Sequence, residues 1–497
     1  MEVKWMMLLL STHWCYSTEF YSSTDHMTQL IDIQREFAQC LSEYTEALQR
    51  LTDILKRAVN ALECTSEDTE TFISNPLAAY RLVRKLNKVW TITREVLEEE
   101  NVQDSLKKVR SAAQMLPGPD DVEGLVMALL RLQDIYRLHP TNISGFSEVK
   151  HNITLDADET FDIAVMSYQN QRLGSALVWM LETLRKLNAG EKATVSREDL
   201  LYHLALFSCH LSAVKDLMNV RDRPACSAHM IETMKTWDWT EVSAHFATAL
   251  EHTSHEENTY ESLCTGRRLK SRTERGLVCR YRRGRLGIYA PFKEEVEWTQ
   301  PLILRYHDFT SEREMNIIKT LARPKLSRAK VSDPVSGKKF SAEVRVSKSA
   351  WLSEDDDPLI TRINQRITDV TGLDLETAEE LQVANYGIGG QYEPHYDSKL
   401  ANDSDFQLRG GRIATLLIYM SDVDVGGATV FPNIGAALQP KRGSAVFWFN
   451  LLRNGSEDGR TLHAACPVFV GNKWVANKWI RAGGQEFRRK CSTVQSE

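Results

Sequence analysis

At 497 residues the chain is too long for one hydrophobic core, and about two to four domains are expected. Its 42% hydrophobic and 26% charged residues exclude a disordered or fibrous protein. A formal net charge of −6, from 61 basic and 67 acidic side chains, argues against a general binder of nucleic acid or anionic membrane.

The start, "MEVKWMMLLLSTHWCYS", has a lysine, an apolar run from Trp5 to Leu10 and then small polar residues. It reads as a compact secretory signal over residues 1–17. No other segment approaches the roughly 18 apolar residues of a membrane-spanning helix, so no span is expected. Sequons at Asn142, Asn152, Asn402 and Asn454 and nine cysteines are consistent with an oxidising, glycosylating route. The chain ends "TVQSE", with no retention tetrapeptide.

Residues 25–62 read as a long helix in which Phe37, Leu41, Tyr44, Leu48, Leu51 and Leu55 keep heptad spacing. Such a seam serves either as one face of a bundle or as a self-association surface. Helical patterning continues to about residue 138, which makes residues 18–145 a helical dimerisation domain of coiled-coil or bundle type. In the domain at 146–245, "DETFDIAVMSYQNQRLGSALVWMLETLRKL" resembles one tetratricopeptide unit, with small Ala164 and Ala176 at its packing positions. Such a unit cannot bury its face alone, so the next helix must stack on it, and a groove for an extended peptide is expected. Residues 246–299 form a polar connector with nine Lys or Arg between Arg267 and Arg285.

From about residue 300 the pattern changes to short alternating strands, such as "EELQVANYG", "RIATLLIYM", "GSAVFWFN" and "KWVANKWI", interrupted by one helical stretch, "DPLITRINQRITDVTG". A jelly roll over residues 300–497 is expected, which makes the whole chain multidomain α+β.

In the stretch "GGQYEPHYDSK", His395 and Asp397 stand two apart, on the same side of an extended chain. His463 supplies a third ligand. Two histidines and one carboxylate leave open positions on an octahedral ion, the arrangement of non-haem Fe(II) oxygenases. Ten positions further on, Lys473 begins a strand whose Lys473, Val475, Asn477 and Trp479 share a face. A lone ammonium inside a barrel is expensive unless paired with an anion, and the far carboxylate of 2-oxoglutarate is such an anion.

From about residue 300 the chain resembles the catalytic domain of the collagen prolyl 4-hydroxylase α subunit, through "AEELQVANYGIGGQYEPH", "GGRIATLLIYMSDVDVGGATVFP", "HAACPV" and "GNKWVANKWI". The helical half is similar too, from "HMTQLIDIQREF" through "NPLAAYRLVRKLN". The resemblance implies a double-stranded β-helix that holds Fe(II) on His395, Asp397 and His463. The implied reaction hydroxylates C4 of peptidyl proline with O2 while 2-oxoglutarate is decarboxylated to succinate, and L-ascorbate rescues oxidised iron. It implies Lys473, Tyr386, Thr429 and Arg481 around the cosubstrate, and Tyr392, Arg412 and Trp479 at the proline site. Tyr168 and Tyr202 would meet a collagen-like, proline-rich peptide. Cys264–Cys279 and Cys466–Cys491 are the implied disulfides. The implied partner is protein disulfide isomerase, as the β subunit of an α2β2 tetramer in the endoplasmic reticulum lumen.

Departures from the family pattern stand beside these matches. Arg481 takes the place of a histidine that assists the cosubstrate, and Leu462 the place of a basic residue. His203, Leu206 and Cys209 interrupt the tyrosine stripe of the repeat. Two alternatives therefore accompany the hydroxylase reading: a catalytically weak paralogue that binds proline-rich clients, and a hydroxylase of a non-collagen secretory substrate.

Overall fold

The structure is a computed structural model, and it describes residues 20–47, 56, 59–60, 73–97, 103–144, 154–216, 259–266, 277–284, 287–332, 339–340, 343–398 and 409–492. The chain divides into two compact units, one of residues 1–18, 30–68 and 75–257 and one of residues 19–29, 69–74 and 258–497. The expected signal, the sequons at Asn152 and Asn402, and Leu48, Leu51 and Leu55 of the heptad seam lie outside the described residues. Among those described, no helix is long and apolar enough to cross a membrane.

The first unit is helical. Thr24–Ala47 is the described part of the long helix, and its Phe37 and Leu41 are fully buried, with Phe37 edge-on to Trp90 at 6.1 Å. These two seam positions thus serve a bundle face within the chain. Pro76–Leu97 begins on Asn75, whose side-chain oxygen accepts from the amide of Leu77 at 2.9 Å, and proline opens the helix where no amide donor is needed. The expected repeat unit forms as Ala157–Gln169 and Leu173–Asn188, with Ala164 and Ala176 fully buried between the helices. Asp156 and Glu159 close a reciprocal capping box, with both bonds at 2.8 Å. The same Glu159 takes a forked bond from Arg81. Arg197–Asp216 is the third helix, stacked on the pair as expected.

The second unit is a β-barrel of two facing sheets. The larger has nine described strands, ordered Cys279–Gly284, Gly287–Trp298, Ile303–His307, Ala445–Phe449, Arg412–Tyr419, Lys473–Arg481, Leu381–Tyr386, Lys348–Leu352 and Ser327–Arg328. The smaller is ordered Ala436–Leu438, Thr429–Phe431, His463–Ala465 and Tyr392–His395. All strand neighbours in both run antiparallel. Alternation in the strand Lys473–Arg481 divides two cores. Trp474, Ala476 and Ile480 face outward onto a layer that includes Ile318, Ile363 and Ile367. Val475 faces inward with Tyr386, Tyr419, Phe431 and Trp448.

The outer layer holds the expected helix, Pro358–Thr371, with Asp357 at its start and Gly372 at φ 72 after its end. It also holds a helix not anticipated from the sequence, Glu312–Ala322, capped by Ser311 and Glu314. Within the basic connector, Cys279–Gly284 and Gly287–Trp298 form a hairpin of the large sheet, so that sheet begins before residue 300. What makes this possible is Glu294, whose fully buried carboxylate takes Arg280 at 2.7 Å and Arg282 at 3.0 Å. Two of the connector's basic residues are therefore neutralised in a ladder.

The disulfide expectation is corrected. Cys264 is bonded to Cys466, with 5.5 Å between their Cα atoms, and not to Cys279; Cys491 is likewise not joined to Cys466. The helix Thr259–Cys264 packs on Thr429–Phe431, and the Cys466 amide donates to Ala428 just before that strand. Cys279 lies opposite Glu295 at a sheet edge and, like Cys491, is an exposed thiol. Spacing along the chain carries no information about these approaches.

Candidate active site

The small sheet sets His395 directly opposite His463 in register, and Asp397 follows just after the strand ends. One ligand atom from each of His395, Asp397 and His463 lies within 4.8 Å of the others. Nε2 of His395 is 3.8 Å from Asp397 Oδ1, and Nε2 of His463 is 3.5 Å from Oδ2. Tyr396, between the two first ligands, turns to the surface as strand alternation requires.

Each ligand is held from behind. Nδ1 of His395 lies 2.7 Å from the Glu393 carbonyl, and Nδ1 of His463 lies 2.9 Å from the Thr461 carbonyl. A carbonyl only accepts, so both imidazoles carry their proton on Nδ1 and present the Nε2 lone pair to the common point. Thr415 donates to Asp397 Oδ2 at 2.6 Å, and the Asn450 amide donates to Thr415 at 2.9 Å. Burial, and after it the charge of His463, pushes His395 below the usual histidine range. Burial alone would raise Asp397, but His463, His395 and Arg412 together hold it below the usual carboxylate range. Two imidazoles that turn Nε2 toward an ionised carboxylate form a donor set that fits a divalent cation of intermediate hardness.

Lys473 comes from the large sheet, in register with Tyr386, and its Nζ lies 4.9 Å from the Tyr386 ring centroid. It is 2% exposed, and burial pushes its ammonium down to about 7, with no acid among the described residues acting in opposition. An inward ammonium of this kind fits the distal carboxylate of 2-oxoglutarate. Nearby, Tyr419 donates to Thr429 at 2.8 Å, which leaves the Thr429 hydroxyl proton to point elsewhere. Burial pushes the Tyr386 hydroxyl up to about 12, so it remains a donor at neutral pH. Gly427, at φ 66, turns the chain beside the lysine stem, where a Cβ would meet Val423 at 3.1 Å.

On the other side of the ligands, Tyr392 stacks on His395 at 3.5 Å, beneath the Arg345 guanidinium. Arg412 lies 3.8 Å over the Trp479 ring and forks onto Glu379, with both bonds at 2.7 Å. Arg481 is fully buried, pairs with the same Glu379 at 2.7 Å and donates to the Gly410 carbonyl at 3.0 Å. In the helical unit, Tyr168 stacks on Phe207 at 4.3 Å, while Tyr202 is 42% exposed. His203 lies edge-on to Phe161, Tyr202 and Phe207. Asn142 and Asn454 are both exposed.

Thr415, Asn450, Glu379 and Arg345 were not anticipated from the sequence. A bulge between Arg412 and Ala414 puts Arg412 and Thr415 on one face, which strict alternation forbids. The clue available was a threonine in one otherwise apolar strand and an asparagine just after another.

Residues 23–145 match the family described as prolyl 4-hydroxylase alpha-subunit, N-terminal region, and residues 381–481 match the 2OG-Fe(II) oxygenase superfamily. The chain is 37% identical to prolyl 4-hydroxylase subunit alpha-2 of Gallus gallus, over 99% of both chains. It is 38% and 37% identical to subunit alpha-1 of Rattus norvegicus and of Homo sapiens, each over 96% of both chains. The three-ligand cluster, the inward lysine and similarity along nearly the whole chain agree: this is a 2-oxoglutarate and Fe(II)-dependent dioxygenase, and it belongs to the prolyl 4-hydroxylase α-subunit family.

Proposed function

We propose that the chain is the catalytic α subunit of a collagen-type prolyl 4-hydroxylase of the endoplasmic reticulum lumen, paired with protein disulfide isomerase in an α2β2 assembly. Its substrate is peptidyl proline in proline-rich secretory chains. The single observation that carries the reading is the meeting of His395, Asp397 and His463 inside one barrel that also holds a buried lysine.

His395, Asp397 and His463 would hold the iron. Iron and 2-oxoglutarate, when bound, supply the O2 activation that oxidises C4 of proline, with ascorbate restoring ferrous iron after idle turnover. The protein contributes orientation. The Glu393 and Thr461 carbonyls fix both imidazole tautomers, and Thr415 fixes the carboxylate rotamer. Lys473 pairs with the distal carboxylate, assisted by the hydroxyls of Tyr386 and Thr429. Tyr392 and Trp479 wall the proline ring, with Arg412 stacked across the indole. Arg481 acts through Glu379, which it shares with Arg412. Phe431 and Trp448 flank the buried His463 ring.

In the helical unit, Tyr202 is the open aromatic for a polyproline ligand, since Tyr168 is engaged by Phe207. That engagement favours clients other than long collagen repeats, and side-by-side assays with collagen-like and other proline-rich peptides separate the two. Purified with its partner, the chain should release succinate in a proline-peptide-dependent manner. Activity that survives His395→Ala would refute the assignment.

A further inference from the structure

The residues beside the proposed cosubstrate anchor are clamped from outside the barrel by the start of the described chain. Asn385 precedes Tyr386 in its strand, faces the opposite side and is fully buried. Its side-chain oxygen accepts from the Ser23 hydroxyl at 2.6 Å and from the Asp25 amide at 3.0 Å. Its NH2 group donates to Asn472 Oδ1 at 2.7 Å and to the Lys473 carbonyl at 3.3 Å. All four hydrogen-bonding capacities of one carboxamide are therefore used, two toward residues 23–25, one toward the Asn472 side chain and one toward the Lys473 carbonyl. Thr24 adds a bond at 2.9 Å to the Tyr386 carbonyl.

The fit is close in other respects. A Cβ on Gly387 would lie 2.3 Å from the Tyr21 carbonyl oxygen, so the segment lies directly against the turn that leaves Tyr386. Its far end is pinned by Asp25 to Arg323 at 2.9 Å and by Lys348 to His26 Nδ1 at 2.6 Å. Tyr386 and Lys473 lie opposite each other in register, so a shift of either strand would move the ammonium relative to the phenol.

We propose that Phe20–His26 is a strap and that Asn385 and Ser23 are positioning residues, which set 2-oxoglutarate affinity by fixing the Tyr386–Lys473 pair. This rests on the reading of Lys473 as the cosubstrate anchor, which gives the inference its separate control. The chain, co-expressed with its β subunit and loaded with Mn(II), is titrated calorimetrically with 2-oxoglutarate, while Mn(II) affinity and peptide KM are measured in parallel.

Asn385→Ala should raise the 2-oxoglutarate Kd about tenfold, since a buried network loses its hub, with Mn(II) Kd and peptide KM held within about twofold. Ser23→Ala should raise it about threefold, and Ser23→Thr, which keeps the hydroxyl, should restore it. Should Asn385→Ala fail to fold, the Ser23 pair decides alone. An unchanged 2-oxoglutarate Kd in these variants, beside a weakened one in Lys473→Ala, overturns the inference. Equal weakening of metal, peptide and cosubstrate overturns it too, because that marks general disruption. A normal Kd in Lys473→Ala overturns the underlying reading instead.

Discussion

The barrel and the helical repeat use aromatic and polar groups in opposite ways. In the barrel, polar groups near the metal ligands are held in series: Asp397 by Thr415, Thr415 by Asn450, Arg412 and Arg481 by Glu379. In the repeat, aromatics of two helices satisfy one another by ring contacts, with Tyr202 left toward solvent. A reacting centre has to be over-determined, because small misplacements cost rate. A recognition surface needs only a few open rings and tolerates replacements such as His203.

The contrast is broken most severely by removing a metal ligand. His463→Ala should reduce succinate release by about a thousandfold or more and abolish tight Fe(II) binding, while leaving the helical circular dichroism intact. Retained iron affinity would show that the cluster is not the metal site. Next in size is Lys473→Ala. Loss of the buried cation that pairs with the distal carboxylate should raise the 2-oxoglutarate KM about thirtyfold or more, with peptide KM little changed.

The same lysine predicts a pH profile. Burial lowers its folded pKa from 10.5 to about 7, so the free protein loses the ammonium as pH rises through 7, whereas a dianion binds the protonated form. The 2-oxoglutarate KM should therefore climb about tenfold per unit above that point, toward the ordinary lysine range. Lys473→Arg should flatten the climb. Because the folded pKa is depressed, the unfolded chain binds more protons between about 7 and 10.5, and this group's burial costs least stability at the alkaline end.

Cys264→Ser tests the corrected pairing. Opening a link that spans 202 residues of sequence should cost about 2–5 kcal/mol and lower Tm by several degrees. Non-reducing peptide maps should show Cys264 joined to Cys466, and a Cys264–Cys279 fragment would contradict the fold. The smallest effects belong to the repeat. Tyr202→Ala should weaken binding of a polyproline peptide a fewfold, whereas Tyr168→Ala should mainly lower stability, since its ring already stacks on Phe207.

The His395/Asp397 pair was legible because period-2 alternation is local strand geometry, whereas His463 and Lys473, on other strands, were legible through the motif that the four residues make together. The strands around Tyr386, Arg412, Thr429 and Lys473 fall where their patterns indicated. What stayed hidden depends on approach in space. The Cys264–Cys466 pairing, the Glu294 clamp that converts a basic loop into a hairpin, and Glu379 between two arginines have no sequence-local mark. The inward position of Thr415 was masked by a bulge, which changes parity without changing composition.

Glu379 has one consequence for anyone redesigning the pocket. Two guanidiniums lean on a single carboxylate, and one of them also covers Trp479. Installing histidine at position 481, as the family resemblance suggests, would therefore not be a one-residue edit. It would hand the whole carboxylate to Arg412 and let that cap slide across the indole. The two positions should show strong epistasis, so a library that varies 379, 412 and 481 together should recover active combinations that single changes miss.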